Sequence, residues 1–250
     1  MPPQAESGAP GPRDRGAPPI GPGDVDAVFD AARAEGLVAL EDRPYWSLLT
    51  ERRARRLVAN VRRRTRYVTV ALEAVHDGHN QAAVLRSADA FGIQDVTVIR
   101  RDTRFKPSRG VTQGADRWLT LHAFEHTADA IAALRARGYR VLASHLSENA
   151  AQVDAVDLTA PIALLFGNEH EGVSDEALAL ADGAFQVPMV GFVQSMNVSV
   201  AAAVAMFHVT RRARRTAGSR YRLSRSAQRE LLRAWVALHR PRGRPLPGAE

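Results

Sequence analysis

Hydrophobic and polar positions recur with two different periods along this chain of 250 residues. Short apolar runs rich in β-branched residues predict strands at residues 67–75, 95–99, 140–145, 161–166 and 184–189. Between these runs, apolar residues return at helical spacing and predict helices at residues 81–91, 128–137, 175–181 and 198–215. Such alternation is typical of an α/β fold, a parallel sheet flanked by helices. We therefore expect one such domain over residues 67–215.

Two further segments with helical patterns lie outside this domain, and both are strongly basic. Helices are predicted at residues 25–35, 45–60 and 226–239. Residues 51–66 hold 8 arginines against 1 acidic residue and residues 211–250 hold 12 against 2, whereas residues 67–210 hold 10 basic and 16 acidic residues. An acidic body between basic segments favours contact with a polyanion such as RNA, although solvated helix faces are the alternative.

We accordingly expect basic helical arms at residues 24–66 and 216–250. Arginines in these arms, or just before the second one, supply the predicted RNA contacts, namely Arg52, Arg53, Arg55, Arg56, Arg62, Arg63, Arg211, Arg212 and Arg214. Residues 1–23 are rich in Pro and Gly and predict a disordered tail. The absence of cysteine excludes disulfides and thiolate metal sites. No apolar run is long enough to cross a membrane, so a cytoplasmic protein is expected.

Three polar motifs lie at or beyond the ends of predicted strands, where open α/β sheets bind ligands. In the first, residues 79–89, Asn80 can cap a helix and Arg86 lies nearly two turns further on. An ordinary capped helix with a surface arginine would look the same. No glycine-rich phosphate-binding signature follows the first strand. The histidines at positions 76, 79, 145 and 170 match no metal-site spacing, so no metal is expected.

The second and third motifs combine glycines with polar side chains. In residues 164–174 an apolar strand leads directly to Glu169, and a carboxylate in that position is costly without a partner or a task. The alternative is a loop that only leads into a helix capped by Ser174. In residues 187–203, Ser195 and Asn197 precede an Ala-rich helix whose free N–H groups attract anions, but both residues could be simple caps.

Together the three motifs resemble those of the SpoU/TrmH family of RNA 2′-O-methyltransferases. The family pattern N-x-x-A-x-x-R-[ST]-A is matched at residues 80–88, G-N-E-x-x-G at residues 167–172, and P-M-x-G-x-x-x-S-x-N-V-S at residues 188–199. The resemblance covers about residues 67–215. Residues 142–149 also resemble the tRNA-modifying branch of the family.

The resemblance implies a deep trefoil knot in the C-terminal part of the domain and a homodimer whose active site is completed across the interface. It also implies that S-adenosylmethionine binds to the backbone at Ser144, Gly167, Val187 and Met196. Arg86 would activate the ribose hydroxyl. The remaining predicted catalytic residues would orient Arg86, the ribose and the cofactor loop, namely Asn80, Glu169, Ser195 and Asn197.

A physical alternative exists for Arg86, because a guanidinium does not normally lose its proton. It would instead hold the adjacent RNA phosphate while that phosphate or a water molecule accepts the proton. The favoured function is methylation of guanosine 18 in the D-loop of tRNA. Alternatives are methylation of 23S ribosomal RNA, RNA binding by a protein with a vestigial site, and small-molecule chemistry with incidental basic segments.

Overall fold

The computed structural model of the protein describes residues 24–239. The predicted disordered tail at residues 1–23 and the end of the basic C-terminal segment, residues 240–250, lie outside the described residues. Within that range, no helix combines the length and the apolar character that crossing a membrane requires.

Seven parallel strands form one sheet in the order β3-β2-β1-β6-β4-β7-β5. The strands are β1 Val68–Glu73, β2 Asp95–Ile99, β3 Thr120–Phe124, β4 Arg140–Ser144, β5 Ala151–Gln152, β6 Ile162–Phe166 and β7 Gly183–Gln186. The adjacent strands β1 and β6 are buried over their whole length, as expected for the centre of a parallel sheet. The predicted parallel α/β fold is confirmed.

Helices surround the sheet and extend beyond it. Within the described residues the α-helices are α1 Val25–Ala34, α2 Arg43–Trp46, α3 Glu51–Val61, α4 Gly78–Phe91, α5 Arg109–Thr112, α6 Thr127–Ala136, α7 Asp175–Leu180, α8 Val198–Thr216 and α9 Arg225–Ala237. Single turns of 3-10 helix occupy Leu40–Asp42, Ala115–Trp118 and Gly218–Tyr221.

The predicted helix at residues 45–60 is wrong, because two helices occupy this stretch. The Thr50 hydroxyl oxygen accepts a hydrogen bond from the backbone N–H of Arg53 (3.3 Å) and begins a new helix, α3. Strands β3 and β5 were not predicted from the sequence. Strand β3 alternates half-buried and exposed residues at one edge of the sheet, and β5 has only two residues at the other.

Each face of the sheet carries its own apolar core. Helices α4 and α8 pack on one face and contact each other, with Leu85 and Met206 buried against the sheet. Helices α6 and α7 cover the other face through Ile131 and Ala177. Helix α4 ends at Gly92, whose φ of +80° suits glycine and where a Cβ atom would lie 2.8 Å from the backbone oxygen of Arg63.

The two basic segments share a third apolar core. Helices α1, α3 and α9 pack together, with Phe29, Leu57 and Leu232 buried among them. The sequence predicts two separate arms, because residues 67–215 lie between them. In the structure they form one helical layer, and Arg64 connects it to the domain by an ion pair with Asp89.

Candidate functional site

A cleft lies at the carboxyl ends of the central strands β6, β4 and β7. Its volume is about 490 Å³, which falls within the range of small-molecule sites. The residues that line it follow those three strands or open helix α8, and they include Ser144, Leu146, Gly167, Asn168, Glu169, Glu171, Val187, Ser195, Met196 and Asn197. All four predicted cofactor-binding residues therefore border one cavity.

The loop after β6 has a closed shape that only glycine permits at its first position. Backbone hydrogen bonds join Asn168 and Gly172 in both directions, at 3.0 and 3.2 Å. The Asn168 Oδ1 atom accepts further bonds from the backbone N–H groups of His170 (2.8 Å) and Glu171 (2.6 Å). A Cβ atom on Gly167 would lie 1.9 Å from the backbone oxygen of Gly172. The loop that carries Glu169 is consequently held in one conformation.

A chain of hydrogen bonds joins the three sequence motifs. The Asn197 side-chain amide donates from Nδ2 to Oδ1 of Asn80 (3.0 Å), and Asn80 donates from Nδ2 to Oε1 of Glu169 (2.9 Å). Glu169 also accepts weaker bonds from the backbone N–H groups of His76 (3.3 Å) and Asp77 (3.4 Å). One side chain from each motif thus takes part in a single connected network.

The prediction that Asn80 caps a helix is wrong. Helix α4 begins at Gly78, three residues before its predicted start, and the Asp77 carboxylate caps it by accepting from the backbone N–H of His79 (2.8 Å). Asn80 lies in the first turn with 7% of its surface exposed. Because the cap is supplied by Asp77, the Asn80 amide is free to bridge Asn197 and Glu169.

Asn197 does cap helix α8, and this role orients its side chain. Its Oδ1 atom accepts from the backbone N–H and the hydroxyl of Ser199, at 2.9 and 2.6 Å. With the oxygen directed at the helix, the amide nitrogen faces Asn80. Ser195 precedes this cap and is exposed at the cleft.

The charge of the cleft is negative. Partial burial acts to raise the pKa of Glu169, but hydrogen bonds from Asn80 and from backbone N–H groups, including those of His76 and Asp77, together hold the pKa below its usual value. Glu169 is therefore ionised at neutral pH. Glu171 also lines the cleft, and the described lining residues include no Lys or Arg. A small ligand with a positive charge and an apolar part suits this surface.

Arg86 does not lie at the cleft of its own chain. Its side chain is exposed on α4, and it does not border the cavity. Within residues 24–239 it has no hydrogen bond or ion pair. The single chain therefore assembles Asn80, Glu169, Ser195 and Asn197 but leaves Arg86 on an outer surface.

The predicted RNA-binding arginines divide into engaged and free side chains. Arg55 pairs with Glu51 (2.6 Å), Arg62 pairs with Glu35, and Arg212 donates to backbone oxygens of the chain. Two others lie over aromatic rings, Arg211 over Phe207 and Arg214 over Tyr221. The described structure contains no hydrogen bond or ion pair for the side chains of Arg52, Arg53, Arg56 and Arg63.

Sequence reasoning missed two residues that support the cleft. Aspartate is a favoured capping residue, so the position of Asp77 was a usable signal. Glu73 ends strand β1 with 1% of its surface exposed and accepts hydrogen bonds from Thr127 Oγ1 (2.6 Å) and from the backbone N–H (2.9 Å) and Oγ (2.7 Å) of Ser174. It thereby anchors the far end of the Glu169 loop. Its partners are distant in sequence, so no local signal indicates this role.

No three His, Cys, Asp or Glu side chains cluster in a way that could hold a metal ion within the part of the chain that the structure describes. The site is instead a ligand cleft at the carboxyl end of a parallel sheet, built from polar loops and one helix N-terminus. It defines an α/β protein with a cleft of small-molecule size at one end of its parallel sheet.

The chain belongs to the SpoU rRNA Methylase family, which it matches over residues 67–207. It is 42% identical over 189 residues to the tRNA (guanosine(18)-2'-O)-methyltransferase of Thermus thermophilus, covering 75% of this chain and 97% of that protein. The crystal structure of the A. aeolicus TrmH/SpoU tRNA modifying enzyme is similar, with a TM-score of 0.68, 30% identity and coverage of 75% and 96%. The AdoMet-bound rRNA methyltransferase of Sinorhizobium meliloti aligns with a TM-score of 0.52, 25% identity and coverage of 63% and 59%.

The geometry of the loop predicts that Gly167→Ala abolishes ligand binding in the cleft. The new methyl group would collide with the backbone at Gly172, and relieving such overlap costs about 1–3 kcal/mol or more. Titration calorimetry with S-adenosylmethionine measures the binding, and circular dichroism checks the fold. The matched control is Gly110→Ala, since no atom lies within 4 Å of a Cβ there. Equal binding by both variants would contradict the prediction.

The hydrogen-bond chain predicts a pH-dependent defect in Asn80→Asp. Wild-type Glu169 has a lowered pKa, so its stabilising contribution is present at neutral pH and is lost only as pH falls through that value. In Asn80→Asp a second carboxylate lies beside Glu169, and repulsion between the two charges raises one of their pKa values above its value in the unfolded chain. The folded protein therefore loses stability as the pH rises through this raised pKa. We expect a deficit of about 1–3 kcal/mol at pH 8 that shrinks towards pH 5.

Urea unfolding at both pH values measures this difference. The control is Asn149→Asp, which adds the same charge at an exposed position. A deficit of Asn80→Asp that does not change with pH would refute the like-charge explanation.

Proposed function

We propose that this chain transfers a methyl group from S-adenosylmethionine to the ribose 2′-hydroxyl of guanosine 18 in tRNA. The observation that carries the proposal is the network of Asn197, Asn80 and Glu169, which gathers all three family motifs at one acidic cleft. The Thermus relative is named for this activity and is similar over nearly its whole length, which supports the same substrate here.

The residues of the cleft fit S-adenosylmethionine. Its sulfonium is positively charged, and Glu169 and Glu171 supply negative charge without a competing cation among the described lining residues. Leu146, Val187 and Met196 offer apolar surface for an adenine ring. The bound sulfonium supplies an electrophilic methyl group.

The chain's own residues then have two tasks, to align the two substrates and to allow the ribose 2′-hydroxyl to lose its proton. The ribose oxygen bonds to the methyl carbon while the carbon–sulfur bond breaks, and the hydroxyl proton passes to water. Alignment of the two reacting atoms can lower the barrier by several kcal/mol, roughly 7–11 in the best cases. Glu169 stays ionised and holds its loop in place. Ser195 lines the cleft, and we infer that its hydroxyl bonds the ribose.

Arg86 takes part through a second copy of the chain. Large apolar side chains are exposed on the segment that follows β7, where Val190 and Phe192 are fully exposed, and on α8 at Val200 and Phe207. Exposed apolar surface of this kind favours association, and we infer a homodimer in which the partner's Arg86 reaches the cleft. Because a guanidinium keeps its proton, Arg86 grips the phosphate next to the target ribose.

The deep trefoil knot, the absence of a catalytic metal and a cytoplasmic location belong to the same proposal. The segments after β4, β6 and β7 meet around one cleft, which is consistent with a knotted C-terminal part. Methylation of ribosomal RNA by the same cleft is the second candidate that the family description favours.

The test is methyl transfer from labelled S-adenosylmethionine to an unmodified tRNA transcript, followed by mass-spectrometric mapping of the label. We expect one methyl group on guanosine 18. The matched control is the same tRNA with 2′-deoxyguanosine at that position, which has no oxygen to methylate and should remain unlabelled. Label on the deoxy control, or transfer only to 23S ribosomal RNA, would refute the assignment.

The shared active site predicts complementation between two inactive variants. Arg86→Ala and Glu169→Gln each damage every site of their own homodimer. In a mixed dimer one site combines an intact Glu169 with the partner's intact Arg86, so random mixing should restore about a quarter of the wild-type rate. The measurement is the tRNA methylation rate after subunit exchange. If Arg86 acts within its own chain, the mixture remains inactive.

A further inference from the structure

A second concave surface, which shares no lining residue with the cleft, is lined by arginines. This arginine groove has a volume of about 670 Å³ and lies among α3, the end of α4, the Ala115–Trp118 turn, α8 and α9. Six arginines line it, namely Arg53, Arg56, Arg63, Arg64, Arg117 and Arg214. Asp89 is the one acidic residue among the described lining residues. The groove is therefore strongly positive.

Most of this positive charge is uncompensated. Arg64 pairs with Asp89, and Arg214 lies over the ring of Tyr221. The side chains of the other four, Arg53, Arg56, Arg63 and Arg117, have no hydrogen bond or ion pair within residues 24–239. Like charges converging on one concave surface repel each other unless an anion neutralises them. The groove is thus suited to a polyanion.

The arrangement of the free arginines favours a nucleic acid backbone over a single small anion. They come from separate parts of the fold, with Arg53 and Arg56 on α3, Arg63 beyond its end, and Arg117 on the Ala115–Trp118 turn. Each guanidinium can grip one phosphate with two parallel bonds. Trp118 also lines the groove and adds aromatic surface, which nucleotides commonly contact.

Helix α4 connects the groove to the residues of the proposed reaction. Ala90 lines the groove, and Arg86 lies one turn earlier on the same face, about 6 Å away along the axis. Asn80, at the cleft end, lies about 9 Å beyond Arg86. An RNA strand whose phosphate is bound by Arg86 therefore lies next to the arginine groove of the protomer that supplies this Arg86.

We propose that the arginine groove binds the sugar-phosphate backbone of the substrate RNA beyond the methylated nucleotide. The proposal rests on the proposed function for the identity of that RNA. It narrows the expectation that the basic arms bind RNA to three unpaired side chains of the first arm, Arg53, Arg56 and Arg63. It also adds Arg117, which belongs to the acidic central part of the sequence and to neither basic segment.

The test compares single variants of the full chain, Arg56→Gln, Arg63→Gln and Arg117→Gln, with Arg33→Gln as the matched control. Arg33 is on α1 of the same helical layer, its side chain is exposed and unpaired within the described residues, and it does not line the groove. Filter binding of unmodified tRNA over a range of KCl concentrations gives the affinity and its salt dependence. Titration calorimetry with S-adenosylmethionine reports on the cleft separately.

Each groove variant should weaken tRNA binding about three- to tenfold at about 0.1 M salt and reduce the slope of log affinity against log salt by about 1. The KM for tRNA should rise by a similar factor, with kcat and the affinity for S-adenosylmethionine unchanged. Arg33→Gln should resemble the wild type. Loss of affinity in Arg117→Gln is the most informative result, because a general effect of the basic segments would not produce it.

Wild-type tRNA binding by Arg117→Gln and Arg63→Gln would overturn the proposal. Equal losses in Arg33→Gln and Arg117→Gln would also overturn it, since net charge alone would then explain the effect. A different result would show that the proposed function is wrong. A wild-type chain that binds tRNA through the groove but transfers no methyl group would refute the function and support the groove.

Discussion

The hydrogen bonds that link Asn197, Asn80 and Glu169 are the interaction on which the rest of the site depends. They join residues that stand 117 and 89 positions apart. The cap of α8 orients the Asn197 amide, because its oxygen accepts from the start of that helix and its nitrogen then faces Asn80. Asn80 is buried, so an unpaired amide there would cost free energy. The two loops and the two helices around the cleft are held in register as a result.

The surrounding fold supplies the conditions for that network. A parallel sheet brings the carboxyl ends of β1, β6, β4 and β7 to one edge, and Glu73 and Gly167 shape the loop between β6 and α7. Helices α4 and α8 pack together and extend from this edge towards the helical layer of α1, α3 and α9. The fold thus presents two surfaces of opposite charge, an acidic cleft that suits a small cation and the arginine groove that suits a polyanion.

Much of the fold could be predicted because buried strands leave a strong local pattern. The central strands are continuous apolar runs, and they were predicted to within a residue or two. Strand β3 was not predicted, because an edge strand buries only part of its surface and so has no continuous apolar run. The stretch of residues 45–60 looked like one helix because its apolar spacing continues across the break, whereas Thr50 interrupts it through a single capping bond.

The sequence by itself determined the order of the central strands and of the helices between them, the three motifs, the cap at Asn197 and the separation of basic from acidic segments. Each of these depends on neighbouring residues and is visible within a short window. The tertiary structure decided that Asn80 bridges two motifs, that Arg86 faces away from the cleft of its own chain, and that Arg117 joins Arg53 and Arg56 while Arg55 pairs with Glu51. Those outcomes depend on which surfaces pack together over long sequence separations, and a local pattern of residues carries no information about that packing.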